Sequence, residues 1–115
     1  MLKVNIHRDQ QKIVSFSITG HAESGPYGHD LVCAAVTAVS FGSVNAIEEI
    51  CQVEPEVETR EDGGYLLFKT PSAVSEETSE KIQLLLEGML VSLRSIERDY
   101  GQYIKIKVVG GASHA

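Results

Sequence analysis

An apolar stretch of helical length, from Leu31 to Ile50, constrains the fold of this chain more than any other feature. Its apolar side chains cover most of a helical circumference, whereas a helix with one side in water needs only an apolar stripe. We therefore expect this helix to be buried on several sides or to lie partly at an interface between subunits. Gly42 within it would allow a neighbouring element to pack closely.

Segments in which apolar and polar residues alternate lie on both sides of this helix, which is typical of strands with one buried face. The first two, joined by RDQQ, predict an antiparallel hairpin. Their apolar positions are Leu2, Val4, Ile6, Val14, Phe16 and Ile18. A second hairpin is expected from VEPEVET, the turn EDGG and YLLFKT. Pro55 favours an edge position for its first strand, because proline cannot donate to a strand ladder.

A second helix is expected to begin at Ser75, which two glutamates follow. Its apolar positions recur every three or four residues and predict core contacts: Ile82, Leu85, Leu86, Met89, Leu93 and Ile96. A last strand is predicted where Ile104, Ile106 and Val108 alternate with lysines. The resulting order ββαββαβ predicts an α+β domain in which two helices pack on a largely antiparallel sheet.

The chain has 115 residues, 43% of them apolar, which suits a single domain with its own core. We expect that domain to span residues 1–109, and GGASHA, residues 110–115, to form a flexible C-terminal tail. Neither an apolar leader segment nor a run of eighteen apolar residues occurs. We therefore predict a cytoplasmic protein with no membrane partner.

Acidic residues outnumber basic ones by 16 to 10, which gives a formal net charge of −6. Proteins that bind nucleic acid through its phosphates normally present many lysines and arginines, so we expect no direct nucleic-acid binding. An acidic surface suits a basic protein substrate, although it also serves solubility alone. Cys33 and Cys51 would stand about 27 Å apart on one helix, too far for a disulfide, which fits a reducing compartment.

The segment GHAESGPYGHDLVCAA joins a predicted strand end to a predicted helix start through a glycine-rich loop. Such a loop can bring His21, which leaves the strand, beside Cys33 in the first turn of the helix, as a base beside a nucleophile. The positive end of the helix favours a thiolate, which lowers the pKa of a cysteine below its ordinary value of about 8.5. Gly25 and Gly28 make the loop a candidate substrate flap.

Several alternatives stay open on the residues alone. Asp30 precedes the predicted helix and is either its N-cap or a carboxylate that orients His21. His29 is a competing base, four residues before Cys33. These four side chains could also bind zinc, but their spacing lacks the usual ligand pairs, so we predict no metal and no cofactor. A buried structural cysteine and a surface histidine remain the commonest roles for such residues.

The segment GHAESGPYGHDLVCAAVTAVSFGSVNAI resembles the bacterial ribosomal-processing cysteine protease family, whose signature is GHA followed by G-x-D-x-V-C-A. The GG before YLLFKT and the run MLVSLRSIERDY are similar to that family too, so the resemblance covers almost the whole chain. It implies a catalytic dyad with Cys33 as nucleophile and His21 as general base. Thr37, one helical turn beyond Cys33, stands where the family has serine and keeps a hydroxyl.

The resemblance implies a peptidase that removes the N-terminal extension of a large-subunit ribosomal protein, cutting between aromatic residues and a small one. It also implies an apolar substrate groove beside Cys33, and it supports a homodimer. Two non-enzymatic hypotheses compete: a ribosome-assembly factor that binds this ribosomal protein without cutting it, and a scaffold whose function is its dimer interface. Both predict that Cys33→Ser is tolerated, whereas a protease would lose turnover.

Overall fold

The computed structural model describes residues 1–20, 27–60 and 64–111, and for residues 27–30 it describes the backbone. The elements are β1 (Leu2–Asp9), β2 (Lys12–Thr19), α1 (Tyr27–Cys51), β3 (Glu56–Thr59), β4 (Tyr65–Lys69), α2 (Glu76–Tyr100) and β5 (Ile104–Gly110). Their order is the predicted ββαββαβ, which confirms the α+β class. Gly110 still belongs to β5, and the Gly111 N–H donates to the Arg8 carbonyl at 2.9 Å, so the ordered sheet reaches into the predicted tail.

The five strands form one sheet in the order β3-β4-β2-β1-β5. Three neighbouring pairs are antiparallel and the β1–β5 pair is parallel, so the sheet is mixed and largely antiparallel, as predicted. The short strand β3, which follows Pro55, lies at an edge, which confirms the prediction for that strand. The strand β2, which leads into the candidate site, lies at the centre of the sheet.

Both helices cover one face of the sheet, and the core lies between these two layers. The strand side chains that face the helices include the stacked rings of Phe16 and Phe68, whose centroids are 5.1 Å apart. The helices contribute buried side chains at Val32, Val36, Val44, Ile47, Ile82, Leu86, Met89, Leu90 and Leu93. The apolar positions predicted for the second helix are therefore confirmed as core or core-edge residues.

The second strand contains an irregularity that its sequence pattern conceals. Alternation places Val14 on the buried face, yet Val14 is 41% exposed and Ile13 is fully buried. On β1, His7 pairs with Ser15 and Arg8 pairs with Ile13, so Val14 is the extra residue of a β-bulge. A bulge reverses the alternation on one side of it, and the inward assignment of Val14 is therefore wrong.

The first helix begins earlier than its sequence pattern predicts. Its first residue is Tyr27, four positions before Leu31, so Asp30 lies inside the first turn and is not the N-cap. Proline lacks an N–H and suits the start of a helix, and Pro26 immediately precedes Tyr27 in the sequence. Cys33 consequently lies in the second turn of α1 rather than the first.

The second helix begins as predicted. Ser75 is the N-cap of α2, and its hydroxyl oxygen accepts a hydrogen bond from the Thr78 N–H at 3.1 Å. Glu76 and Glu77 occupy the first turn, where acidic side chains interact favourably with the helix dipole. The sequence signals of a cap and an acidic first turn therefore located this end correctly.

By length and composition, the part of α1 from Leu31 to Cys51 could cross a membrane. About a quarter of its most apolar window, 28%, is buried inside the molecule. A core helix of a soluble protein meets the same criterion, and Val32, Val36 and Ile47 of α1 belong to the core of this domain. The criterion alone therefore does not indicate a span, but it draws attention to the exposed apolar side of α1.

Candidate active site

The chain leaves the central strand at a point that only glycine can occupy. Gly20, which follows the last residue of β2, has a φ of +119°. A Cβ at this position would lie 2.5 Å from the carbonyl oxygen of Met1. The Gly20 N–H also donates to the carbonyl of Gly64 at 3.2 Å. These contacts fix the backbone at Gly20, immediately before His21 in the sequence, and the sequence signalled Gly20 only as part of the GHA motif.

The candidate nucleophile lies on a part of α1 that is anchored in the core. Val32 and Val36 are 1% and 2% exposed, and between them Cys33 is half-buried and packs against the core. Thr37 lies one turn beyond Cys33, so both side chains project from the same side of the helix. Cys33 therefore lies where the core meets the surface, on a helix whose position the buried valines fix.

Several predicted site residues lie outside the part of the chain that the structure describes. These are His21 and Gly25, together with the side chains of His29 and Asp30. The dyad, the competing base and the zinc hypothesis therefore stay predictions. The backbone of Gly28, in contrast, is described. Gly28 is the second residue of α1, so it does not belong to the loop in which we predicted it.

The second cysteine lies at the other end of the same helix. Cys51 is the last residue of α1, and it packs against the core without a disulfide. Gln52 follows with a φ of 55°, and its side-chain amide donates to the carbonyl of Glu49 at 2.8 Å, which ends the helix. Cys51 is therefore a half-buried cysteine at the edge of the core, at the opposite end of α1 from the helix start.

A model of one protease family matches residues 1–105, nearly the whole of the described domain, and its description is Cysteine protease Prp. The chain belongs to the cysteine protease Prp family. This membership accounts for the GHA and VCA motifs together with the fold that carries them, and the family prediction is confirmed.

The Prp relatives agree with this chain over nearly their whole lengths. The ribosomal processing cysteine protease Prp of Bacillus subtilis (strain 168) is 48% identical over 107 residues, which cover 92% of this chain and 96% of that protein. The crystal structure of the essential ribosomal processing protease Prp from S. aureus in complex with a substrate peptide matches with a TM-score of 0.83 at 35% identity. That match covers 95% of this chain and 100% of the other.

A second Prp structure from S. aureus bears on the chemistry. It holds a covalently linked product peptide, and it matches with a TM-score of 0.81 at 37% identity, over 95% of this chain and 100% of the other. The present chain is thus a cysteine protease with the Prp fold, which confirms the enzyme prediction. The hypotheses of a scaffold and of a non-catalytic assembly factor both lose their support.

Proposed function

We propose that this chain is a cytoplasmic endopeptidase that removes the N-terminal extension of a large-subunit ribosomal protein. The observation that carries this proposal is the full-length similarity to Prp proteins named for ribosomal processing, one of which was solved with a substrate peptide. The covalently linked product peptide in its companion structure is what a nucleophilic cysteine would leave behind.

In this proposal His21 takes the proton of the Cys33 thiol, and the thiolate attacks the carbonyl carbon of the scissile peptide bond. The imidazolium of His21 then protonates the leaving amine as the C–N bond breaks, which leaves an acyl-enzyme with a thioester bond. Water, deprotonated by His21, attacks this thioester. The carboxyl product leaves, and the thiol of Cys33 is restored.

The contacts of described residues next to His21 and around Cys33 support these roles. Cys33 is carried by a helix turn that Val32 and Val36 anchor in the core, and His21 directly follows the backbone contacts of Gly20. Catalytic groups carried by rigid elements keep their geometry better than groups in the middle of a loop. The sheet therefore holds the backbone immediately before His21, and the core holds the turn of α1 that carries Cys33.

Asp30 has two possible roles within this proposal. A carboxylate in the first turn of α1 interacts favourably with the helix dipole, and the same carboxylate could orient the imidazole of His21. Asp30→Asn separates the two roles, because asparagine keeps the shape and removes the charge. Full cleavage activity in this variant would exclude an essential carboxylate, and a fall in kcat with an unchanged melting temperature would assign the orienting role.

The decisive test uses the precursor ribosomal protein with its N-terminal extension and follows its intact mass. We expect one new N-terminus with the wild-type protein and none with Cys33→Ala. Cys51→Ala is the matched control, since Cys51 is also half-buried on α1, and it should cleave at the wild-type rate. Cleavage by Cys33→Ala, or binding of the precursor without cleavage by the wild type, would contradict the proposal.

The base is tested by a second pair of variants. His21→Ala should abolish cleavage, and His29→Ala, only eight positions further along the chain, should keep it. Normal cleavage by His21→Ala together with loss in His29→Ala would assign the base to His29 instead. Metal analysis of untagged protein tests the zinc hypothesis separately, and we expect less than stoichiometric zinc.

We also propose that the enzyme is a homodimer. The outer side of α1 is exposed and apolar, with Leu31 at 46% and Phe41 at 39% exposure, and no charged residue occurs between Asp30 and Glu48. Solvent-exposed helix faces normally carry charges, and an exposed apolar patch on a soluble domain typically marks an interaction site. A second copy that presents the same face would cover it symmetrically.

The dimer is tested by light scattering behind a sizing column. We expect a mass of two chains for the wild type and of one chain for Phe41→Glu. Val91→Glu is the matched control, because Val91 is a 64% exposed apolar residue on α2. A monomeric wild type would contradict the proposal, and so would a dimer that only the Val91→Glu change disrupts.

A further inference from the structure

The sheet has one face that the helices leave uncovered. The register between strands places the side chains of this face in rows, because directly paired residues project to the same side. One row runs across four strands and contains Lys105, Lys3, Thr19 and Tyr65. The next row contains Lys107, Asn5, Ser17, Leu67 and Glu58. This open face is therefore built mainly of polar and charged side chains.

Three lysines cluster at the β5–β1 side of the open face. Lys3 pairs directly with Lys105, and Lys107 lies on the same face of β5, two residues beyond Lys105. All three are exposed, and within the described residues none of them takes part in a salt bridge. Like charges placed directly opposite each other destabilise a strand pair. Packing of the fold therefore does not account for lysines at these positions, whereas an anionic ligand would.

The neighbouring side chains add hydrogen-bonding and stacking groups. Asn5, Ser17 and Thr19 lie half-buried beside the lysines. At the β4 side of the first row, the guanidinium of Arg60 lies 4.7 Å from the ring centroid of Tyr65. Proteins that bind single-stranded RNA combine cations placed along its phosphate backbone with aromatic rings and arginine guanidinium planes on which the bases stack.

We propose that the β5–β1 side of the open sheet face binds the phosphate backbone of RNA through Lys3, Lys105 and Lys107. The net charge of −6 led us to expect no nucleic-acid binding, but net charge averages over the whole surface. The acidic residues on this face are Glu56 and Glu58, on β3 at the opposite edge of the sheet, and Asp9, at the end of β1 remote from Lys3. For this one face, the local cluster of lysines therefore counts for more than the net charge of the whole chain.

The character of the face favours RNA over an anionic membrane. Proteins that lie on membranes insert apolar side chains beside their basic ones. Among the exposed large apolar residues of the described chain, only Val109, in the row of His7, and the bulge residue Val14 lie on this face. A flat face rich in amide and hydroxyl groups has donors and acceptors for ribose and base edges instead.

The test is binding of a fluorescein-labelled 20-nucleotide single-stranded RNA, followed by anisotropy at several salt concentrations. We expect binding by the wild type that weakens with salt, with a log–log slope of about −2 for three phosphate contacts. The triple variant Lys3→Gln/Lys105→Gln/Lys107→Gln should bind at least tenfold more weakly. Because removing the Lys3–Lys105 repulsion should not harm folding, its melting temperature should be unchanged or higher.

The matched control is Lys81→Gln/Arg94→Gln/Arg98→Gln, which removes the same charge from exposed positions on α2, away from the open face. It should change RNA affinity by less than twofold. Equal loss in both triple variants, no detectable binding by the wild type at about 20 mM salt, or tighter binding to phosphatidylserine vesicles than to RNA would overturn the proposal. The assay involves no peptide cleavage, so its failure would leave the proposed protease function untouched.

Discussion

The guanidinium of Arg8, near the end of β1, donates two hydrogen bonds to the carboxylate of Glu87 in the middle of α2, one of them at 2.9 Å. The same guanidinium donates to the carbonyl of Gln11 at 2.8 Å. This contact joins the first hairpin to the second helix. Hydrogen bonding from Arg8, together with the weaker attraction of its charge, outweighs the opposing effect of burial and holds the pKa of Glu87 below its ordinary value of 4.5.

Replacing Glu87 should therefore destabilise the fold in a pH-dependent way. Because the folded state lowers the pKa of Glu87, the stabilisation is complete above pH 4.5 and is lost as the pH falls through the lower folded value. The carboxylate is partly exposed, so we expect Glu87→Gln to lower the free energy of unfolding by about 1 kcal/mol at pH 7. Urea unfolding at pH 7 and at about pH 3 measures this difference and its decline.

The control for this pair is Glu80→Gln, two turns earlier on α2. We expect it to change the free energy of unfolding by no more than about 0.5 kcal/mol, as surface substitutions usually do. A Glu87→Gln effect that stays constant from pH 7 to acid would show that the lost interaction is not that of a carboxylate. An equal loss of unfolding free energy in Glu87→Gln and Glu80→Gln would assign the loss to the change in net charge rather than to the contact with Arg8.

A side chain of α2 also completes the hydrogen bonding of the bulged strand. The Ile13 N–H donates to the Gln83 side-chain oxygen at 2.8 Å, and the Gln83 amide donates to the Ile13 carbonyl at 2.9 Å. Gln83→Met keeps the length of the side chain and removes both bonds, so we expect a loss of about 2 kcal/mol. Chemical denaturation measures it, with the exposed Gln102→Met as a control near zero.

These contacts explain why the sequence predicted the elements but not all of their details. The alternation around Phe16 and the helical spacing from Ile82 to Leu93 are local patterns, and both elements formed as predicted. The bulge at Val14 lies beside a contact between residues 70 positions apart, since Gln83 bonds both backbone groups of Ile13, and no local pattern reports that contact. A local alternation therefore does not fix the face on which every strand residue lies.

The sheet order and the contacts at the site also depend on residues that are distant in the sequence. The parallel pairing of β5 with β1 brings together residues about a hundred positions apart, and local periodicity does not encode it. For α1, the apolar pattern begins at Leu31, but a helix can extend beyond its apolar part, and this one starts at Tyr27. Of the site residues, Cys33 could be placed on a helix from the sequence, whereas the close contact of Gly20 with Met1 could not.

The β1–β2 turn stores backbone strain that a substitution can relieve. Gln10 and Gln11 have φ angles of 50° and 76°, and two-residue turns with this geometry favour glycine at the second position. We expect Gln11→Gly to raise the free energy of unfolding by about 1 kcal/mol, because glycine adopts a positive φ without the steric cost. Thermal melting measures the gain, and Gln11→Ala, which keeps the Cβ, should give none.

The backbone at Gly20 connects the sheet to the base of the proposed dyad. In Gly20→Ala the new Cβ would meet the Met1 carbonyl oxygen, and a φ of +119° is strained for alanine, so the strand end must shift. We expect a fall in kcat/KM of at least about tenfold, since small displacements of a catalytic group are costly. Cleavage of the precursor and thermal melting together measure this effect.

The matched control for this variant is Gly88→Ala on α2, where a Cβ would meet nothing within 4 Å. It should keep full activity and stabilise the helix by about 0.5–1 kcal/mol, because alanine is the better helix former. The comparison separates a specific role of Gly20 from a general sensitivity to added methyl groups. Wild-type cleavage by Gly20→Ala would contradict the view that this strand end positions His21, and the base would then have to be held by the segment that follows it.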